Sequence, residues 1–383
     1  MSGHNRIRVL SAAAGACLSL VLLAGFGPAS NMPSASTGWR VVASTRTIVP
    51  SGIIAQSRHS AWMLGGGFTL AQPQSDFPVG LHWNGRTWSA VGPASFPKAI
   101  RSTGIGCAAQ SSATNVWAFA GTTNAGTFAA SAGALRLENG RWKLVRQFPA
   151  GLVTGCLVES PTQAWVFGDG HVAPGVGTWH LHGRIWRRVT TSGFALDEAS
   201  AVSAGDIWAE GDDAFLNPVV ARWNGRSWRR NTELSRLLPK TSGNVELFLG
   251  GITALGRDDV WFRVNVIRNP AGHTTLSAIV LHWNGRAWHK ARSADFGYYL
   301  PGAVPDGHGG WWADVLVSPS RRAVLHAVRG RWFKVPVSIR GCQAGQLVQV
   351  APVPGSTSVL GVQQCPANPS PSIVHVVLNG PRL

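Results

Sequence analysis

From about residue 39 onward the chain alternates short apolar runs with turn residues, and two patterns recur in step. The first alternates apolar and polar positions, turns at a glycine and resumes at a tryptophan. It appears at Leu81 to Trp88 (LHWNGRTW), Leu135 to Trp142 (LRLENGRW), Trp179 to Trp186 (WHLHGRIW), Ala221 to Trp228 (ARWNGRSW) and Leu281 to Trp288 (LHWNGRAW). A weaker copy runs from Leu325 to Trp332, and a seventh from Val376 to Gly380 (VVLNG). The second pattern is an apolar segment centred on a tryptophan, and it precedes six of these copies, at Trp62, Trp117, Trp165, Trp208, Trp261 and Trp312. Between Gly85 and Gly380 the turn glycines recur about every 49 residues, a period typical of stacked β units.

An Asn-Gly pair between alternating apolar positions predicts a two-residue hairpin turn, because a type I′ turn needs positive φ at both central residues. That turn joins a third strand to a fourth. The tryptophan-centred segment reads as the second strand, and the stretch before it as the first. Four short antiparallel strands cannot bury enough apolar surface alone, so the units must stack around a ring. The expected fold is therefore all-β, a seven-bladed β-propeller of four-stranded antiparallel blades. The segment Gly38 to Val42 (GWRVV) looks like a fourth strand with no unit before it, and so is expected to complete blade seven, placing Trp39 near Val377.

The first 29 residues read as an export signal. Arg6 and Arg8 precede an apolar stretch from Val9 to Phe26, and Gly27 and Ala29 suit a cleavage site. An uncleaved anchor is the alternative, since that stretch is nearly long enough to span a bilayer. Residues 30–37 would then be a short linker and 38–383 a single propeller domain, with no membrane span after cleavage. The protein is expected to be secreted or associated with the cell envelope, as a monomer.

Composition sharpens this picture. Charged residues make up only 13%, against 46 Gly and 23 Pro, the balance of many short strands and tight turns. Most of the 18 Trp fall on second and fourth strands, which makes them packing residues between blades rather than a sugar platform. Setting aside Cys17 in the signal leaves Cys107, Cys156, Cys342 and Cys365, an even number in an exported chain. Cys107 and Cys156 occupy equivalent places in successive units, and Cys342 and Cys365 share the last, so the expected bridges are Cys107–Cys156 and Cys342–Cys365. No zinc-type Cys/His spacing occurs, and no metal or cofactor is expected.

The Asp-x-Trp-Ala-x-Gly form at Asp206 to Gly211 and the His-Trp-Asn-Gly-x-x-Trp form at His82 to Trp88 and His282 to Trp288 resemble the Trp-rich secreted propellers of actinobacteria. More distantly the chain is similar to kelch and galactose-oxidase-like propellers. The resemblance covers nearly everything after residue 37 and implies a fold, not an activity. Tyr298 and Tyr299 are the only tyrosines and no cysteine lies near them in sequence, unlike the copper-radical enzyme.

Candidate chemistry is sparse. The 17 acidic residues include Asp206 and Asp259, placed just before second-strand tryptophans, where they are expected to cap turns through backbone amides. Loop-face candidates for ligand binding are Asp169, His171, Asp212, Asp213, Asp306 and His308. No catalytic residue is assigned. On the opposite face an arginine follows the turn glycine in six units: Arg86, Arg141, Arg184, Arg226, Arg286 and Arg331. Either each stacks on a tryptophan or bonds blade carbonyls, or together they form a basic rim, consistent with a formal net charge of +17.

The expected function is that of a non-catalytic binding module recognising an anionic cell-surface polymer or an exported protein. The alternative is a glycan-active hydrolase or lyase with acids over the central channel. Specific nucleic-acid binding is not expected, as no Lys/Arg-rich run or binding motif appears.

Overall fold

The computed structural model describes residues 39–46, 48–67, 77–122, 131–168, 175–269, 275–291, 304–305, 311–318, 321–328, 331–337, 342, 346–365 and 373–379. The proposed signal and linker lie outside the described residues. Among those described, no helix is long and apolar enough to cross a membrane.

The first strand, β1 (Arg40–Thr45), does not pair with its neighbours in sequence. After it come six sheets, each of four consecutive antiparallel strands. The first is β2 (Ile48–Ser57), β3 (Ser60–Gly67), β4 (Phe77–Trp83) and β5 (Trp88–Val91). The second is β6 (Gly104–Ser112), β7 (Asn115–Thr122), β8 (Ala132–Glu138) and β9 (Arg141–Phe148). The third is β10 (Gly155–Ser160), β11 (Gln163–Phe167), β12 (Trp179–His182) and β13 (Ile185–Arg188). The fourth is β14 (Glu198–Ser203), β15 (Asp206–Asp212), β16 (Pro218–Trp223) and β17 (Trp228–Arg230). The fifth is β18 (Val245–Gly256), β19 (Asp259–Arg268), β20 (Thr275–Trp283) and β21 (Trp288–Lys290). The sixth is β22 (Val304–Pro305), β23 (Trp311–Ser318), β24 (Arg321–Val328) and β25 (Arg331–Val337). The last sheet holds β26 (Gln346–Pro352), β27 (Val359–Cys365) and β28 (Ile373–Asn379), and β1 joins it beside β28.

The innermost strands lie against one another in succession: β2 on β6, β6 on β10, β10 on β14, β14 on β18 and β22 on β26. Strand β26 also lies on β2, so the last sheet neighbours the first, the arrangement of a β-propeller. Glycine permits this convergence. A Cβ at Gly52 would sit 2.8 Å from the Cβ of Ala108, and one at Gly155 would sit 2.4 Å from the carbonyl oxygen of Asp197. Polar side chains tie the same strands across sheets. Gln110 Nε2 donates to the Ala55 carbonyl at 2.8 Å, Gln349 Oε1 accepts from the Ile53 amide at 2.5 Å, and Ser200 Oγ accepts from the Ala254 amide at 3.0 Å.

Strand β1 runs antiparallel to β28, with Val41 opposite Val377 and a bulge between Val41 and Ala43. Trp39 is buried in one apolar cluster with Val377, Val359, Val350 and Trp312. The disulfide Cys107–Cys156 joins β6 to β10, the innermost strands of neighbouring sheets, with Cα atoms 5.9 Å apart. Cys342–Cys365 closes a loop onto β27 at a Cα separation of 5.4 Å.

The hairpin turns differ from the sequence expectation at three of the Asn-Gly pairs. Only Asn139 and Gly140 both adopt positive φ, at 50° and 74°, as a type I′ turn requires. At Asn84, Asn224 and Asn284 the loop is longer and the asparagine itself holds it. Asn84 Oδ1 accepts the amides of Arg86 and Thr87 at 3.0 Å each, and Gly85 alone is left-handed at φ 92°. The side chain does there what the backbone turn was expected to do.

Candidate functional site

The second-strand tryptophans all have the same cross-strand partner position, occupied by histidine or arginine. Trp62 faces His82, Trp117 faces Arg136, Trp165 faces His180, Trp208 faces Arg222, Trp261 faces His282 and Trp312 faces His326. The imidazoles stack flat on the indoles, with centroids 3.8 to 4.1 Å apart. The guanidinium groups of Arg136 and Arg222 lie 5.6 and 4.9 Å from their ring centroids. Four of these indoles also meet a fourth-strand tryptophan from the next sheet. The pairs Trp62–Trp142, Trp117–Trp186, Trp165–Trp228 and Trp208–Trp288 are all T-shaped, with centroids 5.4 to 6.0 Å apart. Offset and edge-on contacts suit the aromatic quadrupole. In the last sheet the equivalent positions are Gly361 and Val377, still opposite each other.

Asp206 and Asp259 serve this stack and not the backbone of a turn, which corrects the sequence reading. Asp206 grips Arg222 through two bonds of 2.6 and 2.7 Å. Asp259 Oδ1 accepts from Trp261 Nε1 at 2.6 Å and contacts His282 Nε2 at 2.9 Å. Gln163 Oε1 meets His180 Nε2 at 3.1 Å in the same way. A polar residue two places before the tryptophan thus orients either the indole or its cap.

Between the first and second sheets a cavity of about 650 Å³ opens on the face that carries the turns. Trp62 and His82 line it from the first sheet; Thr114, Arg136, Glu138 and Asn139 line it from the second. Gln56 Oε1 accepts from Ser60 Oγ at 2.8 Å and from Trp62 Nε1 at 3.0 Å, fixing the floor. Burial lowers the pKa of His82, so its imidazole is neutral at physiological pH. Glu138 pairs with Lys143 at 2.8 Å, and that bond lowers its pKa.

Arg141 follows Gly140 of the cavity wall, and the Arg86 turn packs on His59, next to Ser60. Arg86, Arg141, Arg184, Arg226 and Arg286 are exposed, and none makes a side-chain hydrogen bond, ion pair or ring contact among the described residues. The arginines that do stack on tryptophan are ones the sequence reading passed over: Arg136 and Arg222 on third strands, and Arg146 on the fourth strand β9, 5.3 Å from the Trp179 centroid. Arg331 begins β25.

Of the loop-face candidates, Asp169, His171, Asp306 and His308 lie outside the described residues. Asp213 is committed to its own loop. Its Oδ1 accepts the amides of Phe215 and Asn217 at 3.0 and 3.1 Å, and its Oδ2 pairs with Arg230 at 2.9 Å. Asp212 is half-buried at the end of β15. No group of three or more His, Cys, Asp or Glu that could hold a metal occurs among the described residues.

Two acids stand opposite each other, Glu198 on β14, at the start of its unit, and Glu210 on β15, which sequence reasoning missed. Glu210 is buried, and its Oε2 accepts the Gly251 amide of the fifth sheet at 3.0 Å. Burial, with the Glu198 carboxylate beside it, raises its pKa well above the ordinary range. Glu198 is crowded by protein and by Asp197, which pushes it up to about 7, but it keeps an exposed surface that water screens.

No family model matches the chain, and no curated protein matches it. Solved structures do resemble it in fold. The polysaccharide lyase Uly1 superposes with a TM-score of 0.50 at 9% identity, over 94% of each chain. The BP39L lectin from Burkholderia pseudomallei gives 0.48 at 13%, over 88% of this chain and 99% of the lectin. The β-propeller domain of the Trilobed protease from Pyrococcus furiosus gives 0.44 at 7%, over 86% and 93%. At such identities the likeness is one of fold alone.

Proposed function

We propose that this protein is a secreted, seven-bladed, non-catalytic propeller that binds an anionic surface glycan on its turn face. The observation that carries this reading is the cavity between the first and second sheets, with exposed arginines in the turns around it. Its wall offers Arg136, Ser60, Thr114 and Asn139 to sugar hydroxyl or carboxylate groups, while Arg86 and Arg141 extend the positive surface outward. Both faces of Trp62 are taken up by packing, so polar contacts would dominate over ring stacking. Two disulfides support an oxidising compartment. The contact of β26 with β2, and of β1 with β28, supports closure of a seven-bladed ring.

The enzyme alternative has less behind it. Hydrolysis of a glycosidic bond commonly uses two carboxylates across a cleft, one with a raised pKa. Glu138 is the acid in the cavity wall, and its pKa is lowered. The acids with raised pKa, Glu159, Glu198 and Glu210, lie on the third and fourth sheets and do not line that cavity.

Affinity electrophoresis through gels containing polygalacturonate or neutral dextran tests the reading. Retention by the polyuronate alone is expected, weakening with added salt and with R136A and R141A. Equal retention by dextran, or indifference to both substitutions, would overturn it.

A further inference from the structure

The connection from β15 to β16, residues 213–217, carries the most exposed large apolar side chain among the described residues. Phe215 leaves 82% of its surface to water and Leu216 leaves 42%. Single exposed apolar residues are ordinary; the way this pair is held is not. Leu216 adopts φ 60°, a left-handed conformation that costs a branched residue energy and that Gly or Asn would adopt more easily. Its amide donates to the Asp213 carbonyl at 2.8 Å, while the Asp213 carboxylate collects the Phe215 and Asn217 amides. Asn217 Oδ1 then accepts the Thr241 hydroxyl at 3.1 Å, bracing the loop on the segment that leads to the fifth sheet. Strain retained in an over-determined loop points to a use for the shape.

The base of this tip carries both signs of charge, with Asp212 half-buried at the end of β15 and exposed cations on the neighbouring segment. Arg230 neutralises Asp213, and Lys240, exposed, precedes Thr241. Arg236 is exposed on the same segment. A narrow convex apolar tip above cations suits a surface that it can penetrate, where apolar groups enter the acyl boundary and cations meet headgroups. A folded protein partner would need a larger apolar patch to bury.

We propose that Phe215 and Leu216 form an anchor for an anionic lipid surface, with Lys240 and Arg236 meeting its headgroups. The alternation of strand direction puts this loop on the face opposite the glycan cavity, so the two proposals stand or fall separately.

Co-sedimentation of the full chain with phosphatidylcholine vesicles, with and without phosphatidylglycerol, provides the test. Binding to the anionic vesicles is expected, reduced about tenfold or more by F215S/L216S, since each side chain buries a large apolar area. K240E should weaken binding several-fold and reduce its salt dependence. F215S alone gives a second reading should the double variant fold poorly, and thermal unfolding monitors that. An apolar N-terminal segment would bind both vesicle types alike and ignore these substitutions. If the parent chain does not prefer anionic vesicles, or F215S binds as the parent does, the anchor is refuted; capture of a protein lost with F215S but without vesicle binding would also refute it.

Discussion

Trp165 and His180 stand opposite each other on β11 and β12, their ring centroids 3.8 Å apart and their planes within 6° of parallel. Burial, with His182 nearby, holds the His180 pKa down at about 4. The imidazole therefore stacks as a neutral ring, its Nε2 directed at Gln163.

The unfolded imidazole titrates near 6.5, the folded one near 4. Between these values the unfolded chain binds more protons, so the stability from this site is complete above pH 6.5 and declines as pH falls toward 4. NMR titration should show His180 unprotonated down to about pH 5. H180F should flatten this part of the stability profile.

Trp208 sits between the Arg222 guanidinium and the edge of Trp288. Truncation to alanine removes contacts on both sides and leaves a cavity between the fourth and fifth sheets. W208A should lose about 3–5 kcal/mol in denaturant unfolding. A loss below about 1 kcal/mol would mean that the indole is not a structural joint.

Glu210 gives the opposite pH trend. Its folded pKa lies above the unfolded value, so the folded state binds the extra proton, and stability falls as pH rises from about 4.5 upward through the folded value. E210Q keeps an acceptor for the Gly251 amide without the charge. It should raise stability at pH 8 by on the order of 1 kcal/mol and leave that at pH 4 nearly unchanged. Equal effects at both values would remove the carboxylate from the explanation.

Cys107 and Cys156 are 49 residues apart, Cys342 and Cys365 only 23. Loop-closure entropy makes the first bridge worth about 4 kcal/mol and the second about 3. C107S/C156S should therefore lower the unfolding midpoint more than C342S/C365S does. The reverse order would show native-state packing outweighing chain entropy.

The sheets were legible because glycine and tryptophan mark each one at a nearly constant period, and Trp39 could be assigned to the last sheet because it had no unit of its own. The caps on the indoles were not recognised. His82 and His282 stood in the His-Trp-Asn-Gly motif, but histidine and arginine share the position and it lies three or four residues before the turn glycine. Only the register shows that they are one feature. Glu198 and Glu210 are twelve residues apart, and nothing in their spacing says that they face each other. Asp213 looked like a ligand residue because its bonds to Phe215, Asn217 and Arg230 appear only once the chain is folded.

Gly361 and Val377 make the joint between the last sheet and the first different from those built on an indole and its cap. Trp88 of the first sheet packs there on an aliphatic cluster that includes Leu360 and Val362. Interchangeable joints would let the sheets associate in shifted order, or with the sheets of a second chain, at little cost. With this joint unlike the four built on paired indoles, a cyclic shift would strand an indole edge against a glycine and crowd another into aliphatic side chains. The packing of the last sheet on the first thus marks where the series of sheets begins.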